Sequence, residues 1–87
     1  MYLSAESETF KKKMRKLRKK DSARLMRVRK KMEEILKSPH SYRPVGNVMA
    51  GVIHVHVDPY VITFRIEEAS KTVVFLEFDR HDRIFRN

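Results

Sequence analysis

Cysteine is absent from the 87 residues, which excludes a disulfide framework and a thiolate metal site and fits a reducing compartment. Glycine occurs only twice and proline three times, while apolar residues make up 41%; a disordered basic tail is excluded and a small core is expected. No apolar run approaches the roughly 18 residues of a membrane span. A lysine run opens at Lys11 with no signal-type apolar stretch before it. The sequence therefore predicts a soluble, cytoplasmic protein with no membrane partner. It also lacks a Gly-rich phosphate loop and a Gly-x-Ser-x-Gly nucleophile motif. At this length the chain is read as one domain over 1–87.

What is abundant is positive charge, and it is concentrated. Residues 1–37 hold 14 Lys and Arg against five acids, a net of +9, whereas residues 38–87 hold six of each. A one-sided field of that kind attracts polyanions: nucleic acid, an acidic protein or an anionic surface. All four histidines lie in the neutral half.

Phe10, Met14 and Leu17 recur at helical spacing within the lysine-rich stretch, and Leu25, Val28, Met32, Ile35 and Leu36 repeat the pattern until Pro39 forbids continuation. Ser7 is the expected N-cap, and Asp21 and Ser22 mark a break. Helices at about 7–19 and 22–37 form a hairpin spanning about 7–37, followed by a loop at 38–50. Antiparallel strands then occupy about 51–79, as three runs at 51–57, 60–67 and 72–79, and a C-terminal segment covers 80–87. Tyr2 and Leu3 read as a fragment of a further strand. Alternation puts Ile53, Val55, Val57, Ile62, Phe64, Ile66, Val74, Leu76 and Phe78 on the face that covers the hairpin. The other face takes His54, His56, Thr63, Arg65, Glu77 and Asp79, interrupted by Val52, Val61, Val73 and Phe75. The class is α+β, with an N-terminal basic helical hairpin packed on a three- to four-stranded antiparallel sheet.

Histidines (His54, His56, His81), arginines (Arg43, Arg65, Arg80, Arg83) and acids (Asp58, Asp79, Asp82) on the open face and C-terminal segment suit metal-independent RNA cleavage. One group takes the proton from the 2′-hydroxyl, another protonates the leaving 5′-oxygen, and cations stabilise the phosphorane oxygens. Imidazole, with a reference pKa of about 6.5, serves either proton-transfer role near neutrality; guanidinium suits the third. The plainer alternatives are a solvated basic face, structural histidines, a core anchor at Phe85, and a cross-strand ion pair between Arg65 and Glu77. His54-Val55-His56 has same-face spacing for a metal but no convincing third ligand, so no metal or other cofactor is expected.

The order of elements and two strings, 51–66 (GVIHVHVDPYVITFRI) and 73–85 (VVFLEFDRHDRIF), resemble the RelE/ParE superfamily of toxins, most closely its YafQ-type branch and related archaeal RelE-like proteins. With Phe10 to Leu17 the likeness covers nearly the whole chain. The resemblance implies a ribosome-dependent mRNA endonuclease neutralised by a cognate acidic, RelB-like antitoxin. His56 matches the branch's histidine in its His-Val-Glu/Asp-Pro string, His81 its histidine near the C-terminus, and Phe85 its terminal aromatic. Arg43 stands where YafQ-type enzymes have a histidine, and Asp58-Pro59 runs straight into Tyr60, leaving Asp58 as the stand-in for an acid. Relative to the RelE branch, Val61 replaces a middle-strand arginine and Phe85 a tyrosine.

The expected assignment is His56 and His81 as the acid/base pair, with Arg43, Arg65 and Arg83 stabilising phosphate charge, Asp58 assisting, and Phe85 positioning a base. Lys11, Lys12, Lys13, Arg15, Lys16, Lys19, Lys20, Arg24, Arg27, Lys31, His54 and Arg80 are expected RNA contacts, to mRNA or to ribosomal RNA. Two other readings stay open: a non-enzymatic, ParE-like inhibitor of a protein such as DNA gyrase, and a basic RNA-binding module without catalysis.

Overall fold

The computed structural model describes residues 1–43 and 51–84. In chain order these form β1 (Leu3–Glu6), α1 (Glu8–Lys20), α2 (Ser22–Lys37), a 3-10 turn (Pro39–Ser41), β2 (Ile53–Val57), β3 (Tyr60–Glu67), a second 3-10 turn (Glu68–Ser70), β4 (Thr72–Arg80) and α3 (His81–Ile84). Residues 44–50 of the expected loop and 85–87 of the C-terminal segment lie outside the described residues.

Two capping residues set the helical hairpin. The Ser7 hydroxyl oxygen accepts the Phe10 N–H at 3.0 Å, satisfying one of the amides that a helix start leaves without an intrahelical partner. Asp21 ends α1, donating its N–H to the Leu17 carbonyl, and caps α2 through its carboxylate, which accepts the Arg24 N–H at 3.0 Å. A single residue thus reverses the chain. Ser7 also docks the hairpin, since its N–H donates to the Phe75 carbonyl and its hydroxyl to the Leu76 carbonyl, at 2.9 and 2.6 Å.

The sheet order is β1-β4-β3-β2. Strands β2, β3 and β4 form the expected antiparallel meander, but β1 pairs with β4 in parallel, Leu3 opposite Thr72 and Glu6 opposite Phe75. The sheet is mixed, not purely antiparallel. The cause is topological: the hairpin carries the chain from β1 back across the sheet before β2 begins, so β1 meets the last strand running the same way.

Apolar residues of α1 (Phe10, Met14, Leu17) and α2 (Leu25, Val28, Met32, Ile35) pack on Ile53, Val55, Val57, Ile62 and Phe64 as the sequence pattern requires. Phe10 is fully buried and sits against Phe75 and Phe78, with ring centroids 5.4 and 6.2 Å apart, contacts that add to the burial energy of the ring.

The expected faces of β4 are corrected. Val73 and Phe75, assigned above to the open face, are fully buried in the core, while Val74 and Leu76 are only half-buried. Thr63 faces Glu77 and Phe64 faces Phe75, so Leu76 is an extra residue and the register slips there. A bulge shifts the alternation by one, and the inward set becomes Val73, Phe75 and then Phe78.

Candidate functional site

The β2–β3 turn and the end of β4 converge on the open face. Tyr60 pairs with Arg80, and the next amide, that of His81, donates to the Pro59 carbonyl at 3.1 Å. That bond carries the chain into α3, which packs on β3 and β4. Val61, opposite both His56 and Asp79 on this face, is fully buried. The His56 and His81 rings, both exposed, stack with centroids 5.2 Å apart and planes inclined by 27°. The structure therefore brings together the two histidines expected to act as a pair.

Asp79 anchors the floor beside them. Its carboxylate accepts Lys13 Nζ at 2.7 Å and the Arg80 N–H at 2.8 Å, and Arg83 lies 3.7 Å away. Burial alone would raise its pKa, but Lys13, the Arg80 amide and Arg83 together hold it below the usual carboxylate value. Lys13 also meets Glu77 at 2.8 Å; burial lowers its pKa, yet the bonds to Asp79 and Glu77 outweigh this and raise it. Lys13 is thereby committed to the sheet.

Arg83 also lines a cleft of about 290 Å³ with Val52, His54, Thr63, Leu76, Glu77 and Ile84. His54 is half-buried there, and burial, followed by repulsion from His56, lowers its pKa. Arg80 is exposed, with Asp82 at 3.9 Å. Asp58 is exposed in the β2–β3 turn, and its carbonyl accepts Arg27 at 3.3 Å. Arg24 lies over the Tyr60 ring, 5.6 Å from its centroid, and 3.8 Å from Asp21.

Other expected residues stand apart. Arg65 lies four positions along β3 from Val61, roughly 13 Å at ~3.3 Å per residue, and pairs with Glu67. The anticipated Arg65–Glu77 pair does not form, because Arg65 faces Val74 and Glu77 faces Thr63. Arg43 is exposed beyond Tyr42, whose ring packs edge-on against Phe64 on the core side of the sheet. Phe85 lies outside the described residues.

Lys12, Arg15, Lys16, Lys19 and Lys20 are exposed along α1. Lys11 lies 3.7 Å from Glu8 and Lys31 3.4 Å from Glu34, neighbours three residues apart on one helix face. Sequence reading passed over Arg18 and Arg29, which meet Arg15 in a shallow groove between the helices; helical phase could have found them. Thr63 and Glu77, placed on the open face by alternation but not named as site residues, line the cleft with His54, and Leu76 joins them through the bulge, which leaves no local signal. Among the described residues no group of three or more His, Cys, Asp or Glu side chains is placed to hold a metal ion, and no helix is long and apolar enough to cross a membrane.

Comparison with known proteins gives a consistent picture. Residues 7–85 match the family described as the ParE toxin of the type II toxin-antitoxin system parDE. The candidate toxin RelE4 of Methanocaldococcus jannaschii is 39% identical over 74 residues, covering 84% of this chain and 79% of that protein. An uncharacterised Methanosarcina mazei protein is 36% identical over 74 residues, covering 84% and 86%. Among solved structures, the isolated Escherichia coli RelE toxin superposes with a TM-score of 0.77 at 19% identity, over 92% of this chain and 84% of that one. The RelBE2 toxin-antitoxin complex of Mycobacterium tuberculosis gives 0.77 at 22% identity, over 92% and 91%. At those identities the structural likeness speaks for the fold.

Proposed function

The chain belongs to the ParE toxin family of type II toxin-antitoxin systems, and from that premise we propose that its activity is ribosome-dependent cleavage of mRNA in the cytoplasm. The observation that carries this reading is the stacked pair of His56 and His81. One imidazole takes the proton of the 2′-hydroxyl as its oxygen attacks phosphorus; the other gives a proton to the departing 5′-oxygen. The products are a 2′,3′-cyclic phosphate and a 5′-hydroxyl, and no outside reactant is consumed. Arg83, two residues after His81 and 3.7 Å from Asp79, supplies charge to the phosphorane oxygens, with Arg80 as a neighbouring cation and Phe85 as the aromatic that positions a base. Arg43 and Arg65 stand outside the immediate geometry and contact RNA further along the strand.

The exposed cations of α1 and α2 supply sequence-independent attraction to ribosomal RNA and mRNA. The same surface accounts for neutralisation by an acidic, RelB-like antitoxin, whose charge complements the +9 of this chain; solved RelE relatives are seen with RelB. The test is an mRNA incubated with the protein, with and without ribosomes. Cuts that need the ribosome are expected, and an intact message overturns the reading.

The ParE identity of the matching family favours one other reading, a non-enzymatic inhibitor of a protein target such as DNA gyrase. Such an inhibitor has no use for paired imidazoles, so substitutions at His56 and His81 separate the two.

A further inference from the structure

The open face also carries a cleft that shares Arg83 with the cleavage step but whose other groups that step does not use. Its walls are apolar at Val52, Leu76 and Ile84. Its polar groups are His54, Thr63, Glu77 and Arg83, of which Thr63 is buried and the Arg83 side chain is largely exposed. The β4 bulge creates this combination: the extra residue leaves Leu76 and Glu77, consecutive in sequence, both lining one cavity. Apolar walls with a few convergent polar groups suit a heteroaromatic ligand, which presents both an apolar face and a polar edge.

We propose that this cleft seats an RNA base that carries an exocyclic amine, adenine, cytosine or guanine, and disfavours uracil. The assignment of the seated base to a nucleotide beside the scissile phosphodiester rests on the nuclease reading given above. Glu77 decides the preference. An ionised carboxylate only accepts hydrogen bonds, and Glu77 uses Oε1 for Lys13, leaving Oε2 outside every ion pair and hydrogen bond seen among the described residues. An exocyclic amine donates to it; the pairing edge of uracil turns two carbonyl oxygens and one N–H toward it and meets like charge.

The other groups fit the same ligand. The Thr63 hydroxyl lies 3.5 Å from the Glu77 carbonyl, and a hydroxyl donating there still accepts from a base. Arg83 meets the attached phosphate with its fork of donors. Along β2, His54 and His56 are two residues apart on one face, about 7 Å at ~3.3 Å per residue. A base in the cleft therefore places the adjoining backbone at the His56–His81 pair.

The probes are the four 5′-nucleoside monophosphates, titrated into the full chain and followed by amide chemical shifts. Adenosine, cytidine and guanosine monophosphates are expected to shift His54, Thr63, Glu77 and Arg83, with uridine monophosphate binding about 10-fold more weakly, the worth of one charge-assisted hydrogen bond. Glu77→Gln, checked for an unchanged backbone spectrum, is expected to remove that preference. Equal binding of all four nucleotides by the wild type, or shifts confined to α1 and α2, overturns the proposal whether or not the variant folds. A protein that shows the amine preference but leaves ribosome-bound mRNA intact supports the cleft while overturning the nuclease reading.

Discussion

The imidazole of His81 stacks on that of His56 at 5.2 Å, although His56 lies on β2 and His81 opens α3 directly after β4, and β2 and β4 are not neighbours in the sheet. Strand β3 lies between them, and the pair forms because the His81 N–H is tied to the Pro59 carbonyl of the turn that follows His56. The fully buried Val61 lies opposite His56 on the face they share. The order of strands thus builds a two-histidine site from segments that sequence alone presents as separate.

The link between Asp79 and Lys13 gives stability a pH dependence with a definite sign. The Asp79 pKa is lowered in the fold, so its contribution is present above the unfolded carboxylate value of about 3.9 and is lost as pH falls through the lower folded value. Lys13 is raised, and its contribution is present below about 10.4 and lost as pH rises through the folded value. Asp79→Asn is expected to be less stable than wild type at pH 7 and to converge on it at strongly acid pH. Urea denaturation of both proteins across that range checks this; a gap that persists unchanged to the most acid pH contradicts it.

Lys13 and its helical neighbours are expected to behave differently although all are lysines or arginines of α1. Lys13→Ala removes the partner of Glu77 and Asp79 and lowers the melting temperature. The triple change Lys12→Ala, Arg15→Ala, Lys19→Ala touches exposed side chains and leaves it within a few degrees. The triple variant instead flattens the salt dependence of RNA binding by about 2 in the log–log slope, at ~0.7 per lost phosphate contact on a single strand. Binding titrations at several salt concentrations read this directly.

Phe10 is the apolar joint between hairpin and sheet. Buried fully against Phe75 and Phe78, its replacement by Ala is expected to cost about 3–5 kcal/mol. In a domain of this size that is a large share of the whole. Urea unfolding checks the value, and a loss below 1 kcal/mol contradicts the packing described.

Much of this was legible in the sequence because the signals were local. Ser7 and Asp21 are the caps of the two helices and Pro39 follows the second within two residues of its end, and the Asp58-Pro59 and 68–71 breaks separate the three antiparallel strands. What was not legible was non-local. β1 has four residues, none of them buried; the sequence showed it as a fragment at Tyr2 and Leu3, but not its extent to Glu6 or its parallel pairing with β4. The β4 bulge is a property of two strands in register, and it inverted the expected places of Val73, Val74, Phe75 and Leu76. In the candidate site, residue type offered His54, His56 and His81 and the family resemblance singled out His56 and His81, but the stacking of that pair, the distance of Arg65 from it and the tethering of Lys13 depend on tertiary placement.

The central claim is most directly tested by cleavage of a short mRNA programmed into ribosomes, with wild type compared to His56→Ala and His81→Ala and to the same mRNA free in solution. The account predicts cuts by wild type on the ribosome only, and a loss of roughly 10²-fold or more for each substitution, with melting temperatures unchanged. Cleavage that survives either substitution, or an intact message under conditions where the protein still binds ribosomes, would contradict it.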